Sequence, residues 1–163
     1  MELGRDDILR KHARRVEKFD DRLAELLTDM AETMAAGNGV GLAAPQVGIL
    51  KRCCVVDLGQ DAEGNPRGVV ELVNPEIVQS EGEITVIEGC LSVPDRAGRV
   101  VRPQKVTVRA QNRSGESFEI TGEDMLAVCF CHEIDHLDGI LYVDKMIEDA
   151  TEEVRQRNGG GGQ

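Results

Sequence analysis

"TGEDMLAVCFCHEIDHLDG", residues 121–139, carries two of the chain's three histidines and two of its five cysteines. An apolar run from Met125 to Phe130 leads into His132 and His136, with Glu133 between them. Thr121 and Asp124 stand at capping-box spacing and Gly139 suits a left-handed stop, so the stretch predicts a helix with both ends marked. On a helix, residues four apart share a face, about one turn from each other. Two imidazoles placed this way can converge on one metal ion, with Glu133 beside the ion, where it can take a proton from a bound water. The plainer alternative is a solvated helix with two ordinary histidines. The caps and the apolar flank argue against it, because two histidines on an ordered, partly buried helix with no ligand would be costly to satisfy.

Upstream, "DDRLAELLTDMAETMAAGNG" (residues 20–39) spaces Leu23, Leu26, Leu27, Met30 and Met34 for an amphipathic helix that starts at its acids and stops at Gly37. Between the two helices lie short β-rich runs: "RCCVVDL", "GVVELVNPEIV", "EITVIEGCLSV", "RVVRP", "KVTVRAQN" and "SFEIT". Turn-forming clusters separate them, among them "GQDAEGNPRG" and "NRSGE", where Ser114 and Gly115 suit a hairpin. The pattern predicts one α+β domain over residues 1–147: an N-terminal helix, antiparallel β-sheets, and the metal helix packed against the sheets near the C-terminus. Residues 148–163 are charged and then glycine-rich, and are expected to be a disordered tail. On the strand of Cys53 and Cys54, alternation predicts one side chain facing in and the other out.

At 163 residues the chain is long enough to bury a core, and with aromatics at 2% that core must be aliphatic. A formal charge of −11 argues against general binding of nucleic-acid phosphates. His12, in "LRKHARR", reads as a solvent-facing residue of a basic N-terminal turn. Five cysteines without a secretory signal argue for reduced thiols and a cytoplasmic setting. No apolar run approaches the ~20 residues of a membrane span.

A catalytic metal needs a third protein ligand. Cys131 points about 100° round the helix from His132, and Cys129 lies roughly 10 Å along the axis from His136, so neither thiolate reaches. Tyr142 occupies the place of the third histidine in the extended HExxHxxGxxH pattern and is not a dependable ligand. Glu148, Glu152 and Glu153 would serve a thermolysin-like zinc peptidase, which stays open as an alternative. Cys90, in "VIEGCLSVP", could bring a thiolate from a strand edge and leave a fourth position open for chemistry. On its own it reads more readily as a buried core thiol. "GVGLAAPQVG" (residues 39–48) lacks the lysine and serine or threonine of a phosphate loop, which leaves Gln46 without a structural reason.

Three segments together resemble the peptide deformylase family, whose motifs are GxGxAAxQ, EGCLS and HExxH. Here they stand as Gly39 to Gln46, Glu88 to Ser92 and His132 to His136, complete and in order. The resemblance covers about residues 7 to 146. It departs from the family at the start, where "MELG" replaces an Ile/Val-rich edge strand. It departs again at the end, where Glu148, Asp149, Glu152 and Glu153 replace the long basic helix of many bacterial members.

The resemblance implies Cys90, His132 and His136 as ligands of one divalent ion: Fe(II) in the cell, with Zn, Ni or Co in purified protein. It implies hydrolysis of the N-formyl group of the initiator methionine, by attack of a metal-bound hydroxide on the formyl carbon. Glu133 would move the proton, and the Gln46 amide and the Leu91 backbone N–H would stabilise the charge on the formyl oxygen. Gly41 would let its loop approach, and Val40, Met125 and Cys129 would line an apolar pocket for the methionine side chain. The implied partners are N-formyl-methionyl peptide ends and a transient ribosome contact, with no specific nucleic acid and no membrane. A non-catalytic module that holds formyl-methionine ends is the remaining alternative, and Glu133 argues against it.

Overall fold

In the computed structural model, residues 8–90 and 93–160 are described, apart from the side chains of residues 90, 93–95 and 158–160. Helix α1 (Asp21–Ala36) starts where Asp20 accepts the Leu23 N–H and ends at Gly37. Its Leu23, Leu27, Met30 and Met34 are buried. Strand β1 (Gly41–Ala43) runs into a 3-10 turn (Ala44–Val47), and β2 (Cys53–Asp57) and β3 (Val69–Glu81) follow. Next come β4 (Ile84–Cys90), β5 (Val93–Arg102), β6 (Lys105–Gln111) and β7 (Ser117–Glu123). Helix α2 (Met125–Leu137), a short α3 (Tyr142–Lys145), β8 (Glu148–Asp149) and α4 (Thr151–Gly160) complete the chain.

The strands form two antiparallel sheets, one ordered β1-β2-β3-β6-β7 and the other β4-β5-β8. The β6–β7 hairpin turns at Asn112–Glu116, where Gly115 has φ 85°. The five-stranded sheet is covered on both faces, and this corrects the expectation for Cys53 and Cys54: both are fully buried. Cys53 and Val55 pack with α1, while Cys54 and Val56 pack with Ala127, Phe130 and Leu137 of α2. Alternation along β2 therefore feeds two cores instead of a core and solvent.

One further expectation changes. The capping box at Thr121 does not form, because Thr121 stays in β7 opposite Thr107 and the chain turns sharply at Asp124, with φ 56°. Within the charged tail, the described residues 148–160 carry β8 and α4. Glu148 and Asp149 pair with Arg99 and Gly98 of β5, and Thr151 accepts the Ala97 N–H at 3.1 Å before α4 begins. Arg99 also holds Glu153 at 2.7 Å, so tertiary partners support a segment whose composition alone does not. The segment "MELG" lies outside the described residues. Gly139 does end the α2 turn in the left-handed region, with φ 74°, and a Cβ there would lie 2.5 Å from Arg10 O. No helix among the described residues is long and apolar enough to cross a membrane.

Candidate metal centre

Helix α2 passes between the two sheets and turns His132, Glu133 and His136 towards one point. Their ligand atoms all lie within 4.8 Å of one another. His132 Nε2 and His136 Nε2 are 3.1 Å apart. Two imidazoles on a tetrahedral ion, each ~2.0–2.1 Å from it, would hold their nitrogens about 3.3 Å apart, so the observed spacing fits a shared ion. The electrostatics fit as well. Burial, reinforced by the neighbouring His132 and Arg102 charges, pushes His136 down to about 3, so its ring is neutral with a lone pair to give.

Behind His132 stands a buried carboxylate. Its Nδ1 lies 2.8 Å from Glu88 Oε1, near the end of β4. Arg102 of β5 grips Glu88 through two bonds of 2.7 and 2.9 Å and reaches Asp135 at 2.6 Å. Lys145 of α3 closes the chain of charges on Asp135 at 3.1 Å. Burial acts to raise Glu88, but hydrogen bonds from His132 and Arg102 and the Arg102 charge outweigh it and hold the carboxyl at about 2. The sequence named Glu88 and Asp135 only as letters within motifs, and gave no sign that Arg102 and Lys145 would join them.

Glu133 is a contrasting carboxylate. It is 4% exposed, and its Oε1 has no hydrogen-bond partner among the described residues. Burial raises it to about 7, partly offset by His132 and reinforced by Glu88. Its other oxygen lies against the backbone of β1: a Cβ on Gly41 would fall 2.5 Å from Glu133 Oε2 and 2.9 Å from Cys129 Sγ. Gly41 is thus required where a strand backbone meets the helix face directly.

Gln46 sits in the 3-10 turn, 7% exposed, with its Oε1 accepting the Ala43 N–H at 2.9 Å. The orientation of the amide is therefore fixed with Nε2 as its donating end. A cavity of about 690 Å³ opens above the cluster, walled by Gly41, Gln46, Glu88, Gly89, Cys129, His132 and Glu133. Val40 and Met125 stand exposed at its mouth. Asp57, Leu58 and Gly59 add a further wall that the sequence did not suggest.

Cys90 ends β4 and pairs with Val93 through the backbone; its side chain lies outside the described residues, as does Leu91. Cys131 points into the aliphatic core, and burial pushes its thiol up to about 11. Of the alternative ligands, Glu153 is held by Arg99 and Glu152 by Arg155, Glu148 is exposed on β8, and none joins the cluster. Tyr142 packs beneath His132 with ring centroids 6.4 Å apart.

Residues 2–152 match the family model for polypeptide deformylase. The chain is 56% identical over 157 residues to a peptide deformylase of Caldicellulosiruptor bescii, covering 96% of this chain and 90% of that relative. It is 55% identical over 148 residues to one of Heliobacterium modesticaldum, covering 91% and 93%. Among solved structures, a Legionella pneumophila peptide deformylase superposes with a TM-score of 0.80 at 49% identity, over 93% of this chain and 87% of that one. An Acinetobacter baumannii peptide deformylase with Met-Ala-Ser bound superposes at 0.79 and 37% identity, over 86% and 92%. Sequence, fold and the geometry of α2 lead to one conclusion: this chain belongs to the polypeptide deformylase family.

Proposed function

We propose that this chain removes the N-formyl group from the initiator methionine of newly made polypeptides. The observation that carries the proposal is the convergence of His132 and His136 on one point beside a buried Glu133, at the floor of a peptide-sized cavity. His132, His136 and the Cys90 thiolate would hold a divalent ion. When bound, that ion supplies Lewis acidity at the formyl oxygen and lowers the pKa of a water. Fe(II) is the ion we assign in the cell, with Zn, Ni or Co in purified protein, since a thiolate and two imidazoles accept all four.

The chain's own residues do the rest. Glu133, raised to about 7, takes a proton from the attacking water and returns it to the departing amine. As the formyl oxygen gains charge, the Gln46 Nε2–H and the Leu91 backbone N–H donate to it. Gly41, Cys129, Val40 and Met125 receive the methionine side chain. The crowding around Glu133 favours a formyl group, with only hydrogen beyond its carbonyl, over acetyl. The Met-Ala-Ser bound by the Acinetobacter relative supports a peptide with N-terminal methionine as the occupant. We place the activity in the cytoplasm, at chain ends emerging during synthesis, with at most a transient ribosome contact.

The test is to offer formyl-Met-Ala-Ser, acetyl-Met-Ala-Ser and a blocked internal peptide to protein purified without oxygen. Release of formate from the first alone is the expected result. Cleavage of the internal bond without deformylation would instead support a peptidase. Binding of the formyl peptide without formate release would support the non-catalytic module.

A further inference from the structure

The densest positive charge of this acidic chain lies on a face that catalysis leaves unused. Residues 8–22 hold six basic side chains against three acidic ones, and Lys51 and Arg52 raise the local excess to five, in a chain of net charge −11. The fold brings the two segments together. Arg14 bridges Lys51 in parallel, with the Arg14 N–H donating to Leu50 O at 2.9 Å and the Arg52 N–H to Arg14 O at 2.8 Å. Bridge partners project their side chains to the same side, and both of these are exposed. Ala13 and Val16 turn inward, one into each core, which leaves Arg14, Arg15 and Lys18 in solvent.

Some neighbouring cations have structural partners. Arg10 pairs with Asp144, and Arg52 pairs with Asp138 and donates to Leu137 O. Arg14, Arg15, Lys18 and Lys51 form no salt bridge among the described residues. Of the acids in the segment, Asp20 is committed to capping α1 through the Leu23 N–H at 3.0 Å. Glu17 within the strip and Asp21 beside it remain as exposed acids.

We propose that the strip of Arg14, Arg15, Lys18 and Lys51 docks the phosphate backbone of RNA. Every exposed residue from 10 to 18 is charged or histidine. A protein partner needs an apolar or aromatic anchor at the centre of its interface, and a membrane surface needs an apolar face to bury. A phosphate backbone needs only spaced cations. The location also allows docking during catalysis. The strip lies at the C-terminal end of α2, where the Ala13 N–H donates to Leu137 O at 2.8 Å. Met125, at the cavity mouth, begins the same helix about 18 Å away along its axis, so bound RNA leaves the mouth open.

The experiment measures anisotropy of a fluorescein-labelled single-stranded RNA against salt, with the full chain. The parent should bind at low salt, and the joint variant Arg14→Glu, Arg15→Glu, Lys18→Glu should bind at least ~10-fold more weakly. Each lost phosphate contact removes about 0.7 from the slope of log K against log salt, so that slope should fall by about 2. Deformylation of a formyl-Met peptide should be the same in both, which also reports that the variant folds. A milder pair, Arg15→Gln and Lys18→Gln, should fall in between. Reversal of Lys105 and Arg109 on the five-stranded sheet should leave binding intact. Failure of the parent to bind, or equal binding by parent and triple variant, overturns the proposal. Tighter binding of polyglutamate than of RNA at the same salt would overturn it in favour of an acidic protein partner.

Discussion

His132 Nδ1 lies 2.8 Å from Glu88 Oε1, so a carboxylate on β4 decides which nitrogen of an imidazole on α2 faces His136. An ionised Glu88 accepts the Nδ1–H, and Nε2 then presents its lone pair to the site. Metal-binding histidines commonly hold their other N–H this way, which fixes both tautomer and ring orientation. Arg102 keeps Glu88 ionised, and Asp135 and Lys145 keep Arg102 in place.

Glu88→Ala is therefore expected to weaken metal binding by ~10–100-fold, measured by competition with a chelator. Arg102, 2% exposed, would lose one of its two carboxylates. Stability should fall as well, approaching the ~3–5 kcal/mol typical of breaking a buried ion pair. Undiminished metal affinity in a folded variant would remove Glu88 from the orientation of His132.

Acid should reveal the same carboxylate. The fold holds Glu88 at about 2 against an ordinary value of 4.5, so its ionised form is favoured in the folded state. Its contribution to stability is complete above pH 4.5 and is lost as pH falls from there through about 2. Urea midpoints of the parent should drop across that window, and Glu88→Gln should flatten the drop while lowering the neutral-pH value. An unchanged acid limb in the variant would contradict this assignment.

Gly41→Ala tests the contact between β1 and the helix. A methyl group at 2.5 Å from Glu133 Oε2 must push the loop or the carboxylate aside. Turnover should fall by ~100-fold, as for a misplacement of about 1 Å at a reacting group. The far-UV spectrum should be retained, and normal turnover would mean that this approach is not needed.

Glu133→Ala should separate binding from chemistry. The variant is expected to keep its metal and fold while deformylation falls by ~10²–10⁴-fold or more, because the proposed mechanism gives both proton steps to this one residue. Loss of the metal instead would make Glu133 a ligand.

The cysteines answer the question of the third ligand. Cys90→Ala should lose metal and activity together, because two histidines leave too few protein ligands. Cys131→Ala should keep both, as its thiol points into the core. Cys129→Ala should keep the metal and relax the preference for methionine by about 1–3 kcal/mol. A metal-free Cys129→Ala or Cys131→Ala beside a loaded Cys90→Ala would reverse the assignment.

Features that depend on near neighbours could be read from the chain alone. The spacing of Leu23, Leu27, Met30 and Met34 marks α1, Gly37 and Gly139 mark helix ends, and the four-residue step from His132 to His136 already implies a shared metal. Periodicity and turn chemistry act over a few residues, so they survive without a fold. Where a local rule competed with a distant partner, it failed. Thr121 could have capped a helix, yet pairing with Thr107 kept it in β7. Nothing in the tail's composition points to Arg99 or Ala97, yet these meet its Glu153 and Thr151. Cys54 looked like a choice between core and solvent, and a second layer of packing buried it.

Only the tertiary structure could assemble the charge chain from Lys145 through Asp135, Arg102 and Glu88 to His132. Its links span 10, 33, 14 and 44 residues. No periodicity connects such positions. Glu88, Arg102 and Asp135 are tolerated in the interior only because they meet one another there, so the network exists only once the β4–β5 sheet has packed against α2 and α3.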